Sequence, residues 1–103
     1  MLEYRSVDIL MVDLLRVGGI TPWMKAAHLA EAFNIPVVSH LAPEILAHAD
    51  APSPNGLTVE WMPWTFPLFK EPPRIHQGML ELSPLPGFGL EFDNDAINRM
   101  ELK

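Results

Sequence analysis

Over its first sixty or so residues the chain alternates short apolar runs with helix-forming stretches, in the order strand, helix, strand, helix, strand. Few folds accept that order. Strands that alternate with helices suit a parallel α/β sheet, whose neighbouring strands need a crossover connection. The three runs are Asp8-Ile9-Leu10-Met11-Val12, Pro36-Val37-Val38-Ser39 and Leu57-Thr58-Val59. Each is followed by an acid-base residue: Asp13, His40 and Glu60. Parallel strands point one way, so their C-terminal ends share a face, and on such folds that face carries the chemistry.

Local signals place the connecting elements. Gly18-Gly19 gives the stretch after Asp13 the backbone freedom of a loop. Thr21 is a good N-cap and Pro22 a good first helical residue, which predicts a helix from there to Asn34. Trp23, Ala26, Ala27, Ala30 and Phe33 recur at three- and four-residue spacing as its apolar stripe. A second helix is expected over about Pro43 to Ala49, with Glu44 in its first turn. DAPSPNG then reads as a loop on turn chemistry.

The texture changes after Trp61. Pro63, Pro67, Pro72, Pro73, Pro84 and Pro86 are spread too thickly for long helices or a central sheet. Only Asp93 to Arg99, with Asp93 as cap, reads as a further helical turn or two. The expected organisation is therefore residues 1–61 as βα units and 62–103 as an irregular extension. Three parallel strands make an open sheet with two unpaired edges, an association hazard. The fold class expected is α/β, specifically the C-terminal part of a (β/α) TIM-type barrel with about three strands and two helices.

Composition narrows the partners. At 49% apolar and 19% charged residues the chain is too hydrophobic for a disordered tail. A net charge of -6 without a basic cluster argues against nucleic acid and anionic membranes. The absence of cysteine removes disulfides, thiolate metal sites and a cysteine nucleophile. No apolar run approaches a membrane span, and MLEYRSVD has no signal-peptide pattern. The default expectation is a cytoplasmic protein.

The residue types at the strand ends suit proton transfer. A carboxylate bonded to an imidazole orients the ring and fixes its tautomer, preparing it for general acid-base work. Glu60 adds a third group, able as a neutral acid to donate to an oxyanion. Together they fit proton removal next to a carboxylate. His28, His48 and His76 have bland explanations on a helix face or in the tail. GGIT lacks the G-x-G-x-x-G pattern of a phosphate loop.

At these residues the chain resembles the mandelate racemase group of the enolase superfamily, the mandelate racemase/muconate lactonizing enzyme family. The segments that carry the likeness are VDLLRVGGITPWMKAAHLAEAFNIPVVSH, LAPEILAHADA, VEW and LPGFGLEFD. Asp13 and His40 stand 27 residues apart, and Glu60 follows His40 by 20. The resemblance implies that His40 is the general base, that Asp13 is its dyad partner, and that Glu60 binds the substrate carboxylate or its enolate. Arg16 is a further candidate for steering substrate, against a structural role in pairing with a neighbouring acid. The extension after Trp61 matches the stretch that packs on the family's N-terminal capping domain.

The resemblance also implies Mg²⁺, held in the family by three carboxylates on earlier strands and accompanied by a lysine-based motif. Neither is in this chain, so its own metal ligands are expected to be none. The expected function is a fragment of a Mg²⁺-dependent acid-sugar dehydratase, inactive alone. The alternatives are a racemase or epimerase of a 2-hydroxy acid, or a non-catalytic remnant that only associates with other chains. The expected partners are a small carboxylate substrate in the complete enzyme and either further copies of the chain or the missing barrel segments.

Overall fold

The structure, a computed structural model of the chain, describes residues 1–101. It divides into two compact units, Met1–Met62 and Pro63–Lys103. In the first, β1 (Leu10–Asp13), β2 (Val37–His40) and β3 (Gly56–Thr58) form one sheet in that order, parallel throughout. Helix α1 (Leu14–Val17) and helix α2 (Ile20–Ala32) join β1 to β2, and α3 (Pro43–Asp50) joins β2 to β3. This is part of a (β/α) barrel, with one helix more than the sequence predicts.

The additional helix has a cause in Asp13. Its side chain accepts from the backbone N–H groups of Leu15 and Arg16, so the strand-end acid caps a single helical turn. Gly18, at φ 95°, ends the turn in the left-handed region that glycine reaches without strain. Gly19 follows at φ 105°, and the Trp23 N–H bonds its carbonyl at 3.1 Å. That bond starts α2 at Ile20 and makes Gly19 the cap. Thr21 is thus inside the helix, a correction to the predicted start, and Pro22 sits in the first turn where no N–H is needed.

Burial shows which faces matter. Trp23, Ala27 and Ala30 of α2 pack with Leu14, Ile35, Val37, Leu46 and Ala49 to make the core. Phe33, read as the end of the α2 stripe, is instead exposed. Leu10 and Val12 of β1 join this cluster from the sheet side, because alternate side chains of a strand share a face. The other parity of β1, with Ile9 and Met11, is open to solvent. Of the three strands, β2 alone is buried on both faces, with Val37, Val38 and Ser39 all buried.

The loop DAPSPNG does more than turn. Asn55 donates its side-chain amide to the carbonyls of Ala27 (3.0 Å) and Ile35 (2.9 Å), tying the middle of α2 to the loop that precedes β2. Its own backbone carbonyl accepts from Val37 at 2.9 Å. At Gly56 any Cβ would stand 2.2 Å from the Asp50 carbonyl oxygen, so only glycine lets β3 begin there.

Asp50 closes α3 as a buried acid with Oδ1 lacking a hydrogen-bond partner. Burial raises its carboxyl from 3.8 to about 6. Between about pH 4 and pH 6 the unfolded chain ionises this group while the folded chain keeps it protonated. The folded state therefore loses stability as pH rises through that window, by about 2–3 kcal/mol in all. Asp50→Asn should abolish that loss, giving a variant more stable than the parent at pH 7.5 and similar at pH 4. Urea unfolding followed by far-UV circular dichroism at the two pH values measures it, and an equal difference at both would show that Asp50 does not titrate as described.

The second unit has more regular structure than its prolines suggest. A 3-10 helix at Pro63–Leu68 buries Phe66. Strands β4 (Arg74–His76) and β5 (Met79–Glu81) pair antiparallel. Gln77 and Gly78, at φ 50° and 79°, both occupy the left-handed region, which a two-residue hairpin turn requires. Phe69 stacks on Phe92 with ring centroids 5.2 Å apart, and Lys70 pairs with Glu91 beside them. Helix α4 (Asn94–Met100) is capped by Asp93, as its sequence predicts.

Candidate active site

Register brings Asp13 and His40 together, and Glu60 bonds the residue just after His40. Asp13 and His40 are direct partners in the parallel ladder, as are Met11 and Val38, so these four side chains leave the sheet on one face. Thr58 pairs with Val38, and Glu60 lies two residues beyond the end of β3. The face is the one not covered by the helices. Asp13, Arg16, His40 and the neighbouring Met11, Val12 and Val17 line an open hollow of about 560 Å³ there.

Within it the Asp13 carboxylate is divided between two tasks. Oδ1 accepts from the N–H groups of Leu15 (2.8 Å) and Arg16 (3.0 Å), while Oδ2 lies 2.9 Å from His40 Nδ1. The Arg16 backbone N–H holds this carboxyl below the usual carboxylate range. The Leu15 N–H and the imidazole add to that effect, against some opposing desolvation. An ionised Asp13 can only accept, so His40 Nδ1 is the donor and Nε2 is left as the free basic nitrogen. A further bond fixes the strand just before Asp13. The buried indole of Trp23 donates to the Val12 carbonyl at 3.1 Å. The sequence suggested only packing for this tryptophan.

Arg16 stands apart from this order. Its side chain is 90% exposed and its Nε lies 3.8 Å from Asp13 Oδ2, a long contact with the atom that His40 already holds. Such exposed pairs contribute little, so the guanidinium is only weakly held.

Glu60 is held from two directions. Its carboxylate Oε2 accepts from the Leu41 N–H at 2.7 Å, and its own backbone N–H donates to Ser39 Oγ at 2.8 Å. Leu41 and Ala42, at φ 56° and 44°, take the left-handed conformation in succession, immediately after His40. Sequence reasoning missed Ser39, Trp23 and Asn55 as organisers of this region. Their partners lie from 11 to 28 residues away, and no local pattern announces such bonds.

Parallel βα units with a carboxylate–imidazole pair at adjacent strand ends define part of a (β/α) barrel. The family model "Enolase C-terminal domain-like" matches residues 1–96, and the chain belongs to that family. The D-xylonate dehydratase of Haloferax volcanii is 36% identical over 94% of this chain and 26% of its own length. The L-talarate dehydratase of Polaromonas sp. JS666, solved with Mg and L-glucarate, superposes with a TM-score of 0.87 at 37% identity, over 94% of this chain and 27% of that one. An enolase from Bradyrhizobium, complexed with magnesium and mandelic acid, gives a TM-score of 0.84 at 33% identity, over 93% of this chain and 26% of its own. The chain thus spans about a quarter of the length of these relatives.

The solved relatives named above carry magnesium. The described residues of this chain do not fit that ion. No three His, Asp or Glu side chains among them are grouped as metal ligands, and Asp13 is committed to a helix cap and an imidazole. No helix among them is long and apolar enough to cross a membrane.

Proposed function

We propose that this chain supplies the proton-transfer groups of an acid-sugar dehydratase whose metal-binding and substrate-selecting parts lie in other segments of the enzyme. The observation that carries the reading is the 2.9 Å contact between Asp13 Oδ2 and His40 Nδ1 at adjacent strand ends, beside an open hollow. His40 Nε2 takes the proton from the carbon next to the substrate carboxylate, and the electron pair moves into the carboxylate to give an enediolate. Glu60 touches that carboxylate with Oε1, since Oε2 is engaged by Leu41. The imidazolium then returns its proton to the departing β-hydroxyl, which leaves as water, and the enol product tautomerises to a 2-keto-3-deoxy acid. Asp13 balances the charge of the imidazolium throughout. Arg16 serves as a mobile counter-charge for the incoming acid. Residues 62–103 form the surface against which a capping domain packs, and the open sheet edges take up neighbouring barrel strands. Alone, the chain does not turn over substrate. The resemblance to proteins that bind mandelic acid supports racemisation of a 2-hydroxy acid as the second reading.

The test grafts this chain into the L-talarate dehydratase of Polaromonas sp. JS666 in place of the matching segment. Nuclear magnetic resonance in D₂O then follows glucarate, galactarate, D-xylonate and mandelate. Proton exchange next to the carboxylate with loss of water supports dehydration, and exchange of mandelate without water loss supports racemisation. An inert, folded graft overturns both readings.

A further inference from the structure

The β2–β3 ladder ends in an unusual way. Beyond the Val38–Thr58 pair the two strands no longer exchange backbone bonds, and the next two links use side chains. The Glu60 N–H goes to the Ser39 hydroxyl and the Leu41 N–H goes to the Glu60 carboxylate. Ser39 is fully buried and points to the helix-covered face, where its strand companion Val37 is part of the apolar core. A valine would fill that place at less cost in desolvation. The hydroxyl acts on the Glu60 backbone from the helix-covered face, while the Leu41 N–H acts on its side chain.

We propose that Ser39 is a positioning residue for Glu60, working with the left-handed Leu41–Ala42 turn as a two-point clamp. Ser39 sets where the Glu60 backbone leaves the sheet. The turn aims the Leu41 N–H at Oε2, which consumes one carboxylate oxygen and leaves Oε1 as the atom that meets substrate. Because Leu41 directly follows His40, the clamp also fixes the distance between the base and the acid-binding carboxyl. Left-handed backbone at two successive non-glycine residues costs free energy, which the 2.7 Å bond to Glu60 helps to offset. This inference rests on the reading of Glu60 as the group that meets the substrate carboxylate. The clamp itself is tested without catalysis.

The measurement is a pH titration of the ¹⁵N-labelled, 103-residue chain, following the Leu41 amide. His40 lies next to this amide and Asp13 lies behind His40, so both also shift it. Glu60→Gln identifies the component that belongs to Glu60. Ser39→Ala should remove most of that component while the His40 and Asp13 steps persist, and Ser39→Thr, which keeps the hydroxyl, should restore it. If Ser39→Ala does not fold, Ser39→Cys replaces it, filling the same space with a poor acceptor, and should weaken the response in the same way. A Glu60 component of undiminished size in the folded Ala or Cys variant would overturn the proposal. Its loss in Ser39→Ala without recovery in a folded Ser39→Thr would do so too. An inactive graft alongside the expected titration would remove only the catalytic reading.

Discussion

His40→Asn in the grafted enzyme should lower proton exchange next to the substrate carboxylate by about 10³-fold or more, with the fold intact. A positioned general base contributes roughly 10²–10⁴-fold, and asparagine has neither a basic nitrogen nor a proton to return. The packing cost is small because the imidazole is only part-buried at the mouth of the hollow. Asp13→Asn sharpens the result. Asparagine caps a helix about as well as aspartate, so α1 should survive. Its amide no longer dictates the tautomer or balances the imidazolium, and loss of that partner in comparable dyads costs up to about 10⁴-fold. Exchange that persists in His40→Asn would remove His40 as the base. Exchange that persists in Asp13→Asn alone would confine Asp13 to its capping role.

Trp23→Ala should unfold the first unit, or bring it close to unfolding, at 25 °C. The side chain is fully buried at the centre of the core, and truncating a core tryptophan costs about 3–5 kcal/mol. The Val12 carbonyl would also lose its indole donor. Losing a hydrogen bond of this kind adds roughly 0.5–1.5 kcal/mol. Small domains have only about 5–15 kcal/mol in total, and a unit with open sheet edges has little reserve. Trp23→Phe separates the terms, since it keeps most of the apolar volume and loses the donor. It should cost about 1–2 kcal/mol and leave a cooperative transition. Far-UV circular dichroism in urea distinguishes the cases, and an unchanged midpoint in Trp23→Ala would contradict the core described here.

Much of the sheet was legible because its signals are local. Apolar runs, Gly-Gly and Pro at helix starts placed three parallel strands in order, and each strand fell within two residues of its expected start. The proximity of Asp13 and His40 was legible for the same reason, since adjacent parallel strands joined by a helical crossover hold their ends together. The errors arose where two local signals competed. Thr21-Pro22 resembled a helix start, but the Gly19 carbonyl was free to begin the helix earlier. LLRV read as loop because the effect of Asp13 as a cap was weighed only as chemistry. In the tail, the hairpin turn at Gln77-Gly78 lacks the Asn-Gly signature, and the surrounding prolines concealed two short strands. What sequence could not supply was the long-range bonding of Ser39, Trp23 and Asn55, whose residue types fit many ordinary roles.

The direct pairing of Asp13 with His40 has a consequence for how errors in this protein are excluded. Sliding β1 past β2 by a single residue would set Asp13 opposite Ser39 or Leu41, and its carboxylate would face away from the imidazole. The same slip would turn Leu10 and Val12 out of the core. A mispaired sheet therefore loses its hydrophobic support and its reactive pair together. Stability thus acts as a proofreader of register: a molecule stable enough to persist already holds Asp13 against His40.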